Sequence, residues 1–116
     1  MKRLTPKKVI RTNTNEYVVL EAEGSNLVVC PVVYGDSNSH RSDYYLSFCA
    51  ASKSGIASSG KVRCLPKIIG ETSDINVIGS MPPQSFNEIC ALAHCEIMSR
   101  RLEETPRIKP QRIYSW

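Results

Sequence analysis

The stretch Tyr17-Val18-Val19-Leu20-Glu21-Ala22-Glu23-Gly24-Ser25-Asn26-Leu27-Val28-Val29-Cys30-Pro31-Val32-Val33 decides the fold. Two β-branched runs, 17–22 and 27–33, flank the turn residues Glu23-Gly24-Ser25-Asn26, which predicts a strand, a turn and a strand. Pro31 has no amide hydrogen to give a ladder, so it should sit at a bulge or on an edge. Downstream lies a polar loop from Gly35 to Ser42, and then a predicted strand over 43–49, Asp-Tyr-Tyr-Leu-Ser-Phe-Cys. Ser52-Lys53-Ser54-Gly55 and Ser58-Ser59-Gly60 turn the chain before a strand over 61–65. There Arg63 alternates with Val62 and Cys64, so it points to the opposite face. Short extended pieces are expected at 8–10, 67–69 and 76–78.

Further outward, Pro82-Pro83 close the extended region, and Ser85-Phe86-Asn87-Glu88 has the pattern of a capping box. Phe86, Ile89, Cys90, Ala93 and Ile97 then recur with helical spacing as one apolar stripe. One helix is therefore expected, over about 85–101. Residues 103–116 are basic, contain Pro106 and Pro110 and end in Trp116; they read as a docking or flexible extension. The fold class is mainly β (β+α): a small, partly open antiparallel barrel closed by a C-terminal helix, within one domain over 1–102.

The 116 residues are 41% apolar and 22% charged, which suits one modest core. No run of about 18 apolar residues is present to cross a membrane, and Met1–Lys8 has no apolar leader. The expectation is a cytoplasmic protein. Its net charge of +4 is unevenly placed: residues 1–11 carry five basic groups and no acid, and residues 99–116 carry five basic groups against Glu103 and Glu104. The middle is accordingly acidic, and a polyanion would meet the ends. The five cysteines, Cys30, Cys49, Cys64, Cys90 and Cys95, contain no CxxC pair and read as reduced apolar side chains. Cys90 and His94 lack a second pair to complete zinc coordination, so no metal and no cofactor are expected.

Three stretches together resemble the MazF/PemK-like toxins of the CcdB/PemK plasmid-maintenance superfamily. Val28-Val29-Cys30-Pro31-Val32-Val33 is similar to the family's "VVxPVT" strand. Gly55 to Cys64 resembles its glycine-loop strand ending in "V-[RL]-C-D-Q", and Asn76 to Phe86 its "IG-x-L" strand leading into the closing helix. The resemblance implies an SH3-like barrel, a two-fold homodimer, an antitoxin whose disordered tail lies in a dimer groove, and metal-independent cleavage of single-stranded RNA. CcdB-like gyrase poisons share the fold. The chain departs from the pattern at Leu65 and Pro66, where the family has an acid and a glutamine, and at Val33, where it has threonine. Glu16-Tyr17 stand where the family's arginine-proline pair would fall.

RNA cleavage by 2′-OH attack needs a base, an acid and a cation at the phosphate. Arg63 falls on the strand arginine that some members use at the phosphate; the other reading is a strand arginine in a cross-strand ion pair. His40 and Arg41, close to Asp43 before the third strand, are the further catalytic candidates. The RNA-binding candidates are Lys61, Lys67, Tyr34 and Tyr44, the tyrosines as stacking platforms or as sheet packing. Three functions follow: a toxin-like endoribonuclease, a catalytically inactive protein- or nucleic-acid-binding module on the same fold, and a nucleic-acid binder using its basic ends.

Overall fold

The computed structural model describes residues 4–35, 39–57, 59–71 and 74–108, and side chains as far as residue 100. Among the described residues there are seven strands: β1 (Lys8–Arg11), β2 (Glu16–Glu23), β3 (Asn26–Tyr34), β4 (Asp43–Tyr45), β5 (Gly60–Arg63), β6 (Lys67–Gly70) and β7 (Asn76–Ser80). They form one antiparallel sheet in the order β4-β5-β3-β2-β1-β7, with β6 also paired to β3. The sheet does not close on itself. Helix α1 (Phe48–Ser54) and the long helix α2 (Pro83–Ile108) complete the fold, as the partly open antiparallel architecture with a C-terminal helix requires.

The apolar runs of β2 and β3 are continuous because both of their faces are covered. Val18, Cys30 and Val32 pack into one cluster with Val62, Cys64, Phe86 and Ile89 beneath the helices. Tyr17, Val19, Leu27 and Val29 point the other way into a second cluster with Leu4 and Ile10. Pro31 sits where β3 passes from one partner to the next: β6 pairs with residues 26–29 and β5 with residues 32–34. The gap asks for no amide hydrogen on that edge, so proline costs nothing there.

Five expectations are corrected. The predicted strand 43–49 stops at Tyr45, because the Ser47 hydroxyl accepts from the Ala50 amide at 3.1 Å and caps α1. Ser52-Lys53-Ser54 is the last turn of that helix, and Gly55 ends it at φ 78°. The Ser85 capping box does not form, since α2 already begins at Pro83 and Phe86 bonds back to the Pro82 carbonyl at 2.8 Å; proline suits the first helical position. The apolar stripe ends at Ala93: Ile97 is 40% exposed and Glu96, 3% exposed, takes the next inward position. The helix also runs beyond the expected 101 to Ile108, through residues with no glycine or proline before Pro106. Residues 109–116 of the expected extension lie outside the described part. Among the described residues no helix is long and apolar enough to cross a membrane.

Candidate active site

The ends of β1, β2 and β3 meet at one corner of the sheet. Arg11 and Glu16 are opposite each other in the β1–β2 ladder, joined by the turn Thr12-Asn13-Thr14-Asn15. The Thr12 hydroxyl holds that turn, accepting from the Thr14 and Asn15 amides at 3.3 and 3.2 Å. The Asn13 amide donates to Asp74 at 3.3 Å. Residues 11–16, with Val32 and Tyr34, line a cleft of about 230 Å³.

Within the cleft the Glu16 carboxylate is gripped from two sides. Arg11 donates to its Oε2 through Nε at 3.0 Å and Nη2 at 2.7 Å, and the Tyr34 hydroxyl donates to its Oε1. Burial, and then the Glu16 carboxylate, push the Tyr34 phenol above its ordinary value, so it keeps its proton at neutral pH. Gly60 seats the Tyr34 ring: a Cβ at Gly60 would lie 2.8 Å from Tyr34 Cε1 and 2.7 Å from Ile56 Cγ2. Arg11 and Tyr34 are 55% and 41% exposed. A carboxylate, a guanidinium and a protonated phenol therefore face one accessible hollow.

Most of the sequence-selected residues stand elsewhere, around two buried carboxylates. Asp43, 1% exposed, takes both arms of Arg63 at 2.8 and 3.1 Å and Lys61 Nζ at 3.1 Å. The His40 amide adds a further bond at 3.0 Å. Burial pushes Asp43 up, but Arg63, the His40 amide and Lys61 outweigh it and hold the carboxyl well below its ordinary value. Arg63 is thus in a cross-strand ion pair, its partner directly opposite in the β4–β5 register. His40 Nδ1 accepts from the Ser42 amide at 3.0 Å, which closes the turn. Lys61 is itself buried, beneath the Tyr45 ring.

The second carboxylate is Glu96 on α2. Arg41 donates to it at 2.9 and 3.1 Å, the Ser42 hydroxyl at 2.6 Å and Arg100 at 3.0 Å. Arg41 first, then Ser42 and Arg100, hold its acid down at about 2 against the opposing effect of burial. Tyr44 ties β4 to α2 by donating to Glu88 while its ring packs on the main core. Lys67 stacks over the Tyr17 ring at 5.5 Å. Of the seven sequence-selected residues, Tyr34 alone lines the cleft. Arg11 and Glu16 were missed, although opposite charges flanking a Thr-Asn-Thr-Asn turn are the signature of a paired hairpin end. Among the described residues no three His, Cys, Asp or Glu side chains gather to hold a metal ion.

No family model and no curated protein sequence matches this chain. Solved structures do. A chain of the MazE–MazF complex of Deinococcus radiodurans is 12% identical, with a TM-score of 0.67 over 84% of this chain and 97% of that one. An endoribonuclease from a mycobacterial species is 10% identical, with a TM-score of 0.67 over 84% and 94%. A mycobacterial endoribonuclease in complex with its cognate antitoxin is 9% identical, with a TM-score of 0.66 over 83% and 96%. The chain therefore has the MazF/PemK-like fold that the motifs of β3, β5 and β7 resemble.

Proposed function

We propose that this protein is the toxin of a toxin–antitoxin pair and cleaves single-stranded RNA without a metal ion, at the Arg11–Glu16–Tyr34 cleft. The observation that carries the reading is the gripped Glu16 carboxylate in an open hollow at the strand ends. The family's arginine-proline pair falls at Glu16-Tyr17 and its threonine at Val33. Here Arg11, across the ladder from Glu16, and Tyr34, one residue past Val33, bring substitute groups to that corner. Fold likeness to proteins described as endoribonucleases supports the same reading.

In this mechanism Glu16 takes the ribose 2′-OH proton, and the 2′-oxygen attacks the adjacent phosphorus to form a 2′,3′-cyclic phosphate. The P–O5′ bond breaks and the leaving oxygen takes the Tyr34 phenol proton. The proton on Glu16 then returns to Tyr34 along their hydrogen bond. Arg11 holds the phosphate oxygens, where its fork matches the developing charge. Arg63, His40 and Lys61 act as the frame of the neighbouring loop. The reading carries with it an SH3-like barrel domain over 1–102, a homodimer, an antitoxin tail in its groove and a cytoplasmic setting.

The test is incubation of the purified chain with single-stranded RNA in excess chelator. Fragments ending in 2′,3′-cyclic phosphate are expected, and Glu16→Gln should slow their formation at least about 100-fold. A second reading, a non-catalytic member that binds a protein such as gyrase or a nucleic acid, is favoured by the engagement of Arg63, Lys61 and Arg41 with carboxylates. Intact RNA in the same assay would overturn the ribonuclease reading.

A further inference from the structure

A second feature, built around Glu96, is outside the cleft. Arg41 Nη2 and Arg100 Nε bond the same oxygen, Glu96 Oε2, at 3.1 and 3.0 Å. The two nitrogens are therefore no more than about 6 Å apart. Arg41 Nε and the Ser42 hydroxyl already occupy the other oxygen, at 2.9 and 2.6 Å. The loop-to-helix tie is thus made without Arg100, which brings a second guanidinium up against the first. Their side chains are 54% and 57% exposed, while the glutamate that fixes them is 3% exposed. Arg100 is also the first basic residue of the stretch 99–116, which carries five basic groups against two acids.

We propose that Arg41 and Arg100 form a phosphate-gripping pair that takes the backbone of single-stranded RNA. A guanidinium fork matches the oxygens of a phosphodiester. Two guanidinia held by one immobile carboxylate are pre-organised, Arg100 through its Nε alone, so binding loses little side-chain freedom. Tyr34 and Arg41 are seven positions apart in the chain, a reach of at most about 25 Å, so one strand can touch both places. The choice of RNA as ligand rests on the proposed function; the grip does not depend on the cleft chemistry.

The test uses an RNA dodecamer with 2′-O-methyl groups throughout, which cannot be cut by 2′-OH attack. Its binding is followed by fluorescence anisotropy over a salt series for wild type, Arg100→Gln and Arg41→Gln, with melting temperatures alongside. Arg100→Gln should weaken binding about 5–10-fold near 0.1 M salt and reduce the slope of log K against log salt by about 0.7, one single-strand phosphate contact. Its melting temperature should not move, because Arg41 and Ser42 still hold Glu96. Unchanged affinity and slope in Arg100→Gln would overturn the proposal, as would a wild type that does not bind the dodecamer. Cleavage of unmodified RNA with an unchanged slope removes this grip and leaves the cleft. A reduced slope without cleavage leaves the grip and removes the cleft.

Discussion

Two regions of this molecule use the same chemical vocabulary for opposite ends. At the cleft, Glu16 is bonded to Arg11 and Tyr34, and both partners are about half exposed. In the loop before β4, Asp43 and Glu96 are bonded to Arg63, Lys61, Arg41 and Ser42, with the carboxylates sealed from solvent. A sealed carboxylate with a full set of donors is a joint: it fixes the loop between β5 and α2. Glu16, 13% exposed and lining the hollow, can exchange partners with a ligand. Burial, more than residue type, separates joint from chemistry here.

The comparison breaks if the two regions respond alike to loss of their acids. Asp43→Ala removes the sealed carboxylate that Arg63 and Lys61 share and should cost about 3–5 kcal/mol of unfolding free energy in urea. Glu16→Ala, where the glutamate is 13% exposed and its arginine reaches into water, should cost only about 1 kcal/mol. Acid sharpens the contrast. Glu96 ionises at about 2 in the fold against an ordinary value of 4.5, so its contribution is complete above the ordinary value. It is lost as pH falls through that window, to about 3 kcal/mol in all; acid titration of Glu96→Gln should lack this share. The smallest effect tests the cleft alone. Gly60→Ala would push the Tyr34 ring from its seat, lowering RNA cleavage about 10-fold while stability falls by on the order of 1 kcal/mol.

The hairpin of β2 and β3 was legible because its valine runs and its glycine turn are local signals, and both strands end within a residue or so of expectation. Helix α1 was hidden by Tyr44, Tyr45 and Phe48, whose strand preference outweighed the cap at Ser47 and the glycine at Gly55. Glu96 was hidden because a charged residue inside an apolar stripe reads as a solvated position until its partners, 54 and 55 residues away, are known. The cleft was hidden for a related reason. Arg11 and Glu16 become a pair only through the β1–β2 register, and Tyr34 joins them only because β3 runs back beside β2. Residue type was visible, but adjacency was not. The same holds for Arg63: its place on the strand was visible, its ion pair only once Asp43 stood opposite it.

The position of β1 in the sheet has a consequence in time. Its residues pair on one side with β2, which follows at once, and on the other with β7, where Arg11 is opposite Asn76. On a ribosome adding about 5–20 residues per second, several seconds pass between synthesis of those two partners. Through that interval the strand carrying Arg11 has one bare edge, open to pairing with another chain. The nascent protein is therefore most vulnerable to misassembly just before its last strand emerges, and the cleft corner gains its second support only when nearly the whole sheet has been made.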